Sequence, residues 1–220
     1  MEAQLAGIPE RGTAVLRPAV FLDRDGTLVE NRGYLTDPGQ LRLIPGAGEA
    51  IRLLNDAGVA AVVATNQSAL ARGLLDETRL AAIHERLRAL LLAVGGGVLD
   101  GVYYCPHHPE PGKAGRPERT LLCACRKPLP GMMLRAAVEL DLSLSVSTVV
   151  GDTISDVQAG ISFGGRGLLV ETGDGIEEVP RLSGLPSEVK GRWAAVPDVL
   201  SAVRLELSRM RWVPHGGPAR

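Results

Sequence analysis

The chain has 220 residues, of which 45% are hydrophobic and 22% charged, and its formal net charge is −1. This balance gives no reason to expect nucleic acid or a membrane surface as a partner, and no apolar run is long enough to cross a bilayer. Residues 1–13 contain two acidic side chains and no apolar stretch, so no secretory signal is expected there. We therefore expect a cytoplasmic protein. Because only 3% of the residues are aromatic, its core should be aliphatic.

Short apolar runs alternate with helical patterns along the chain, which predicts a parallel sheet covered by helices on both faces. Strands are expected at residues 15–22, 59–64, 98–104, 146–150 and 168–170. Helices are expected at residues 47–57, 76–94, 131–140, 154–160 and 196–210. The remaining features are an irregular loop at 106–127 and a loose tail at 214–220. With no internal repeat and no second core, the prediction is one α/β domain with a core at about 15–210.

Two aspartates, Asp23 and Asp25, follow the first predicted strand in a turn opened by Gly26. In open parallel sheets, ligands bind in the crevice at the carboxyl ends of the strands. Two carboxylates this close repel each other unless a cation lies between them, and Mg²⁺ is the oxygen-seeking ion for such a site. A turn with helix-capping aspartates is the alternative, and the isolated D-x-D-G-T string also fits it.

Three further polar segments lie at the end of a predicted strand or the start of a predicted helix. They are Thr65-Asn66-Gln67-Ser68, Arg126-Lys127-Pro128 and Gly151-Asp152-Thr153-Ile154-Ser155-Asp156. A hydroxyl with backbone N–H groups suits a phosphate, a lysine can neutralise a phosphate and a carboxylate, and Asp152 would complete a magnesium site. Asp156 is expected to brace the helix turn. Each segment could instead be a helix cap or a solvated basic pair, but the four in this order favour a phosphate-processing site.

The three cysteines of the chain lie close together and near two histidines. An odd number of cysteines is a poor disulfide framework, whereas C-x-H followed by C-x-C offers the ligands of a tetrahedral structural zinc. The predicted zinc ligands are Cys105, His107, Cys123 and Cys125. Buried free thiols and a redox pair are the alternatives, and His108 is expected to face solvent or to lie behind the ligands. Zinc would fix the loop at 105–127 and aim Arg126 and Lys127 at a substrate.

The segments DRDGT, TNQS, RKP and GDTISD resemble the four motifs of the haloacid dehalogenase (HAD) superfamily of phosphotransferases. The resemblance covers about residues 15–175 and implies a three-layer, Rossmann-like sheet whose first strand lies between the second and the fourth. It implies that Asp23 is the nucleophile, that Asp25 is the general acid and base, and that Thr65 and Lys127 hold the phosphoryl group. The implied magnesium ligands are Asp23, Asp25 and Asp152. Residues 28–45 are too few for a cap domain, so an open site is expected.

The string YYCPHHPEPG…CACRKPLPGM is similar to a zinc-bearing branch of that superfamily, whose members dephosphorylate a heptose bisphosphate or histidinol phosphate. The strings NRGY and NQS, the latter followed by ARG, look more like the heptose enzymes. This implies removal of the 7-phosphate from a heptose 1,7-bisphosphate, a step toward nucleotide-activated heptose. The implied substrate contacts are Asn31, Arg32, Gly33, Tyr34, Asn66, Gln67, Ser68, Arg126 and Thr153. Thr153 stands where heptose enzymes often carry a basic residue.

Two alternatives to the heptose activity stay open at this point. One is a histidinol-phosphate phosphatase, and the other is a catalytically silent, zinc-stabilised module that binds phosphorylated ligands. The expected partner is a small phosphorylated sugar, with neither nucleic acid nor membrane bound, and the chain is expected to be a monomer. Outside the motifs, His84 is expected to be a solvated helix residue, Tyr103 and Tyr104 to face opposite sides of a strand, and Trp193 and Trp212 to pack.

Overall fold

The computed structural model describes residues 16–110 and 115–210, and a six-stranded, wholly parallel sheet lies at its centre. The strands are β1 (Ala19–Leu22), β2 (Ala60–Asn66), β3 (Gly101–Cys105), β4 (Thr148–Gly151), β5 (Arg166–Val170) and β6 (Trp193–Val196). Their order is β3-β2-β1-β4-β5-β6, so the first strand pairs with the second and the fourth. The predicted strand order is therefore confirmed.

Helices cover both faces of this sheet. They are α1 (Ala47–Asp56), α2 (Ser68–Ala71), α3 (Glu77–Gly95), α4 (Gly131–Glu139), α5 (Ile154–Ser162), α6 (Gly175–Glu178) and α7 (Val199–Met210). One core lies between the sheet and α1, α3 and α7, and a second lies between the sheet and α4 and α5. No helix within the described ranges combines the length and apolarity needed to cross a membrane.

Strand β1 is buried on both faces, which explains its run of apolar residues without alternation. Ala19 and Phe21 belong to the core under α4 and α5, while Val20 and Leu22 belong to the core under α1, α3 and α7. Because this strand is central, the residue that follows it emerges in the middle of the sheet's carboxyl edge. That residue is Asp23, whose backbone N–H donates to the carbonyl of Val150 at 2.8 Å.

Most boundaries shift by a few residues from the sequence-based prediction, and three differences need comment. The first strand begins at Ala19, and part of the predicted range before it lies outside the described residues. The third strand begins at Gly101, because the Asn55 side chain bonds both backbone groups of Val98 and replaces strand pairing there. Strand β6 was missed: its last residue, Val196, was assigned to the closing helix, which begins three residues later.

Several expectations fall on parts of the chain that lie outside the described residues. These are residues 1–13, the tail at 214–220 and Trp212. Elsewhere, Tyr103 packs with the core under α4 and Tyr104 with the core under α3, so the two tyrosines do face opposite sides of β3. Trp193 packs in a small cluster with Leu169 and Leu182, as expected for a packing residue.

Candidate active site

The carboxyl ends of β1, β2 and β4 open into a cavity of about 350 Å³. The sequence placed polar residues after each of these three strands, and the parallel pairing brings them to one edge of the sheet. The predicted catalytic residues that line this cavity are Asp23, Asp25, Thr65, Lys127 and Asp152. Side chains from four separate segments therefore meet at one place, as the motif order predicted.

Lys127 lies between two carboxylates at the bottom of the cavity. Its Nζ is 2.6 Å from Oδ1 of Asp23 and 2.5 Å from Oδ1 of Asp156, and the lysine side chain is only 2% exposed. Burial alone would lower the pKa of Lys127, but the charges of Asp156 and Asp23 outweigh burial and raise it. The lysine is therefore a permanent cation that fixes the position of Asp23.

Asp152 is enclosed by backbone on one side. Its Oδ2 accepts a hydrogen bond from the backbone N–H of Asp174 at 3.0 Å. A Cβ at Gly26 would lie 1.9 Å from this oxygen, and one at Gly173 would lie 2.2 Å from it. Both glycines have positive φ angles, +81° and +60°, so a side chain at either position would be strained as well as obstructed. These two glycines let the chain approach Asp152 closely.

Three carboxylates at this edge are arranged so that they could hold a metal ion. One oxygen each from Asp23, Asp152 and Asp156 lies within 4.8 Å of the others, and all three residues are buried. A buried group of three acids beside one lysine carries excess negative charge, and carboxylate oxygens are the donors that Mg²⁺ prefers. The residues present therefore fit a magnesium ion.

The carboxylate set differs from the predicted one in one member. Asp25, the third predicted magnesium ligand, lies outside this cluster, and its carboxylate is bonded to Arg24 and Gln67. Asp156 takes its place in the cluster. It also braces the start of α5 as expected, because its Oδ2 accepts bonds from the backbone and the hydroxyl of Thr153.

Burial raises the pKa of Asp23 to about 6, with Lys127 opposing the rise, and raises the pKa of Asp152 to about 8, with Asp23 adding to it. An unfolded aspartate titrates near about pH 3.9. These two groups therefore stabilise the fold below about pH 4, and that contribution is lost as the pH rises through their folded pKa values. A bound cation competes with the protons, so its affinity should rise over the same interval.

We expect Mg²⁺ to raise the melting temperature more at about pH 8 than at about pH 5, for this reason. Thermal denaturation with and without Mg²⁺ at the two pH values measures the difference. The Asp152→Asn variant is the control, since it should lose most of the Mg²⁺-dependent shift. An equal shift at both pH values would contradict the assignment of these carboxylates.

The residues at the end of β2, together with Gln67, are hydrogen-bonded mainly to other parts of the site. Asn66 accepts from the backbone N–H of Lys127 at 3.1 Å and donates to its carbonyl at 3.2 Å. The Gln67 side chain is buried and donates to the Thr65 hydroxyl at 2.9 Å and to Asp25 at 3.1 Å. These amides hold the predicted catalytic residues in place, and they also line the cavities: Asn66 lines both the main cavity and an adjoining one, and Gln67 lines the adjoining one. Because the Thr65 hydroxyl oxygen accepts from Gln67, its own proton remains available for donation to a ligand.

The other expected substrate contacts divide into two groups. Asn31, Ser68, Arg126 and Thr153 line the main cavity, while Gly33 and Tyr34 line an adjoining cavity of about 400 Å³. Arg32 lines neither cavity; its guanidinium is paired with Glu30 at 2.6 Å and is 66% exposed. The prediction that Arg32 contacts the ligand is therefore not supported by its position.

The cysteine loop brings its four predicted ligands together. Cys105, His107, Cys123 and Cys125 each offer one atom, and these atoms all lie within 4.8 Å of one another. The three sulfur–sulfur distances are 3.2, 3.3 and 3.5 Å. A tetrahedral zinc with about 2.3 Å bonds separates its sulfurs by about 3.8 Å, so the cluster is compatible with a zinc site after a small expansion. His108 lies outside the cluster, with its Nδ1 next to the backbone of Glu110.

Several residues near the site were not foreseen. Asp174 and Arg181 line the cavity, and the signal for Asp174 was its place in the turn after β5, four residues beyond the end of that strand. Arg24 is fully buried behind Asp25. The expectation for His84 was wrong: it is buried, with its Nε2 3.4 Å from the Arg24 guanidinium. His84 lies four residues after Leu80, so the apolar side of α3 includes it.

Comparison with known proteins places this chain among phosphatases. A HAD-hydrolase-like family model matches residues 124–190. A D-glycero-beta-D-manno-heptose-1,7-bisphosphate 7-phosphatase from Yersinia pestis is 39% identical over 80% of this chain and 97% of that protein. A D-glycero-D-manno-heptose-1,7-bisphosphate 7-phosphatase from Thermosynechococcus vestitus is 44% identical over 72% of this chain and 81% of that protein.

A solved structure is similar over nearly the whole chain. The crystal structure of D,D-heptose 1,7-bisphosphate phosphatase from B. bronchiseptica, complexed with magnesium and phosphate, matches with a TM-score of 0.74 and 36% identity. The match covers 87% of this chain and 99% of that one.

Proposed function

Because this chain belongs to the heptose-1,7-bisphosphate 7-phosphatase family of HAD-like hydrolases, we propose that it hydrolyses the 7-phosphate of D-glycero-D-manno-heptose 1,7-bisphosphate. The observation that carries the proposal is the buried Lys127, which holds Asp23 at 2.6 Å in a cavity shared with Asp152. An ion pair with only a structural role does not have to be buried in a cavity. Phosphoryl transfer, in contrast, needs a nucleophile in a fixed position next to positive charge.

Asp23 is the nucleophile in this scheme. Lys127 holds its Oδ1, which leaves Oδ2 to attack phosphorus in line. The ester P–O bond breaks as the new bond forms, and Asp25, in its protonated form, gives its proton to the departing sugar oxygen. Asp25 then takes a proton from water, which attacks phosphorus, releases phosphate and regenerates Asp23.

The transferring phosphoryl group is held by donors on two sides. Thr65 can donate its hydroxyl proton, because that oxygen accepts from Gln67, and Lys127 supplies a positive charge from the other side. A magnesium ion held by the buried carboxylates would neutralise further charge on the phosphoryl oxygens. The chain's own part is to hold the nucleophile and these donors in one fixed geometry.

The sugar has room in the adjoining cavity of about 400 Å³, which shares Asp25, Asn31 and Ser68 with the main one. Arg126 donates to the Ser68 hydroxyl at 3.3 Å and to the His107 carbonyl at 3.1 Å. Its planar guanidinium keeps further N–H groups for a second phosphate, which suits a bisphosphate substrate. A small phosphorylated sugar is thus the partner that the cavities favour.

The function is tested with a substrate panel. Purified protein is assayed for phosphate release from the α and β anomers of heptose 1,7-bisphosphate and from histidinol phosphate, with and without Mg²⁺. We expect Mg²⁺-dependent turnover with a strong preference for a heptose bisphosphate. A preference for histidinol phosphate would reverse the substrate assignment, and no turnover of any ester would favour the silent binding module.

We further propose that the four-ligand cluster holds a structural zinc, which anchors Arg126 through the His107 carbonyl. All four positions are filled by protein atoms, so no open position remains for a substrate. Cys125→Ser should lose zinc and about 3 kcal/mol of stability, which lowers the melting temperature by about 6–12 °C. Metal analysis and thermal denaturation measure the two effects.

His108→Ala is the matched control for that variant. His108 lies in the same loop but outside the ligand cluster, so its variant should keep zinc and a melting temperature close to that of the wild type. Zinc-free wild-type protein with intact thiols, full activity and an unchanged melting temperature would remove the zinc assignment.

A further inference from the structure

Arg24 separates the two aspartates of the proposed mechanism, and the mechanism so far gives it no part. Its side chain is 1% exposed. A charged side chain is rarely buried this completely without partners that compensate its lost hydration. The partners of Arg24 therefore indicate its role.

The guanidinium of Arg24 donates a hydrogen bond to each of the two carboxylate oxygens of Asp25. Its Nε donates to Oδ1 at 3.1 Å and its Nη2 donates to Oδ2 at 2.7 Å. A bidentate pair of this kind fixes the orientation of a carboxylate as well as its position. Asp25 is 25% exposed and lines the cavity, so it is held from the protein side and remains accessible from the cavity.

Gln67 and His84 hold the guanidinium in turn. The Gln67 Oε1 accepts from Nη2 of Arg24 at 3.0 Å, and its Nε2 donates to Asp25 at 3.1 Å, so one amide ties both residues. Burial, and then Arg24, lowers the pKa of His84 to about 3, which leaves the ring neutral with a nitrogen 3.4 Å from Nη1. The arginine is thus fixed on three sides by side chains.

We propose that Arg24 is a positioning residue that holds Asp25 where it protonates the departing oxygen, with Gln67 as its brace. This proposal rests on the phosphatase reaction proposed above. In the first step Asp23 bonds to phosphorus, the ester P–O bond breaks, and the proton of Asp25 passes to the leaving oxygen. Arg24 exchanges no proton, so its loss should affect this first step, which kcat/KM reports, only when the leaving oxygen needs a proton.

The test compares two leaving groups. Heptose bisphosphate releases an alkoxide that needs the proton, whereas p-nitrophenyl phosphate releases a stable phenolate that does not. For Arg24→Met we expect kcat/KM to fall about 10²-fold on the alkyl ester and less than about fivefold on the aryl ester. Asp25→Asn should show the same selectivity. Adding Arg24→Met to the Asp25→Asn variant should lower kcat/KM on the alkyl ester little further, because Arg24 acts through Asp25.

Two further variants separate positioning from folding. Arg24→Lys keeps the buried charge but loses the planar fork, so it should keep the selective defect; it also serves if Arg24→Met does not fold. Arg166→Met breaks another largely buried pair, with Glu206, at the amino end of β5. It should lower the melting temperature without changing the ratio of alkyl to aryl activity.

The role proposed for Arg24 would be overturned if Arg24→Met lowered kcat/KM equally on the two esters. It would also be overturned if Arg24→Met lowered kcat/KM as much in the Asp25→Asn variant as in the wild type. If the wild type rejects heptose bisphosphate, any other alkyl phosphate that it hydrolyses takes its place in the comparison. Failure of the proposed substrate is thereby distinguished from failure of the proposed role of Arg24.

Discussion

Asp23→Asn should lower kcat by about 10⁴-fold or more, because an amide cannot form the phosphoryl intermediate. The substitution preserves shape and leaves Lys127 beside Asp156. Since it also removes one charge from a crowded group of acids, the variant should melt at the same temperature as the wild type or higher at about pH 8. Turnover assays and thermal denaturation on the same preparation separate lost chemistry from lost folding.

Asp37→Asn is a suitable control for that variant. Asp37 is a surface aspartate that accepts from the backbone N–H of Gly39 in a turn away from the cavity, so its variant should keep full turnover. Trapping the phosphorylated wild type and mapping the label should place it on Asp23. A label on any other residue would falsify the mechanism, whatever the substrate proves to be.

Lys127→Met should cost both activity and stability. It leaves Asp23, Asp152 and Asp156 buried without their cation, and removing one partner of a buried ion pair typically costs about 3–5 kcal/mol. The melting temperature should therefore fall by about 6–20 °C without Mg²⁺. Mg²⁺ should restore more stability to this variant than to the wild type, because it replaces the lysine as the counter-charge for three acids.

Two comparisons make the result for Lys127 specific. Arg135→Met removes an exposed ion pair with Glu139 on α4 and should change stability by no more than about 0.5 kcal/mol. Adding Asp156→Asn to Lys127→Met should recover part of the stability, since it removes an unpaired charge, but none of the activity. Full activity in Lys127→Met would exclude the lysine from phosphoryl transfer.

Three of the four catalytic segments could be predicted because each follows a strand whose apolar run is easy to recognise, and parallel strands bring their carboxyl ends to one edge. The fourth segment, at Lys127, precedes α4, and its signal was a basic pair ahead of a predicted helix. The position of the Asp25 carboxylate could not be predicted, because it depends on the burial of Arg24. Arginines that follow a strand are usually exposed. Strand β6 was missed because four residues, Trp193–Val196, merge into the apolar pattern of α7. The His84 error came from reading polarity instead of its spacing from Leu80.

The two glycine contacts with Asp152 bear on which ion this edge can select. The Asp174 N–H bonds Oδ2 of Asp152, and the chain at Gly26 and Gly173 approaches that oxygen closely, so we expect Asp152 to bind a cation through Oδ1 alone. A carboxylate restricted to one donor oxygen binds in a monodentate manner, which suits the compact octahedral shell of Mg²⁺. Ca²⁺ prefers more ligands and often two oxygens from one carboxylate. Because the main chain crowds one oxygen of Asp152, we expect this site to favour Mg²⁺ over Ca²⁺, although the two ions carry the same charge.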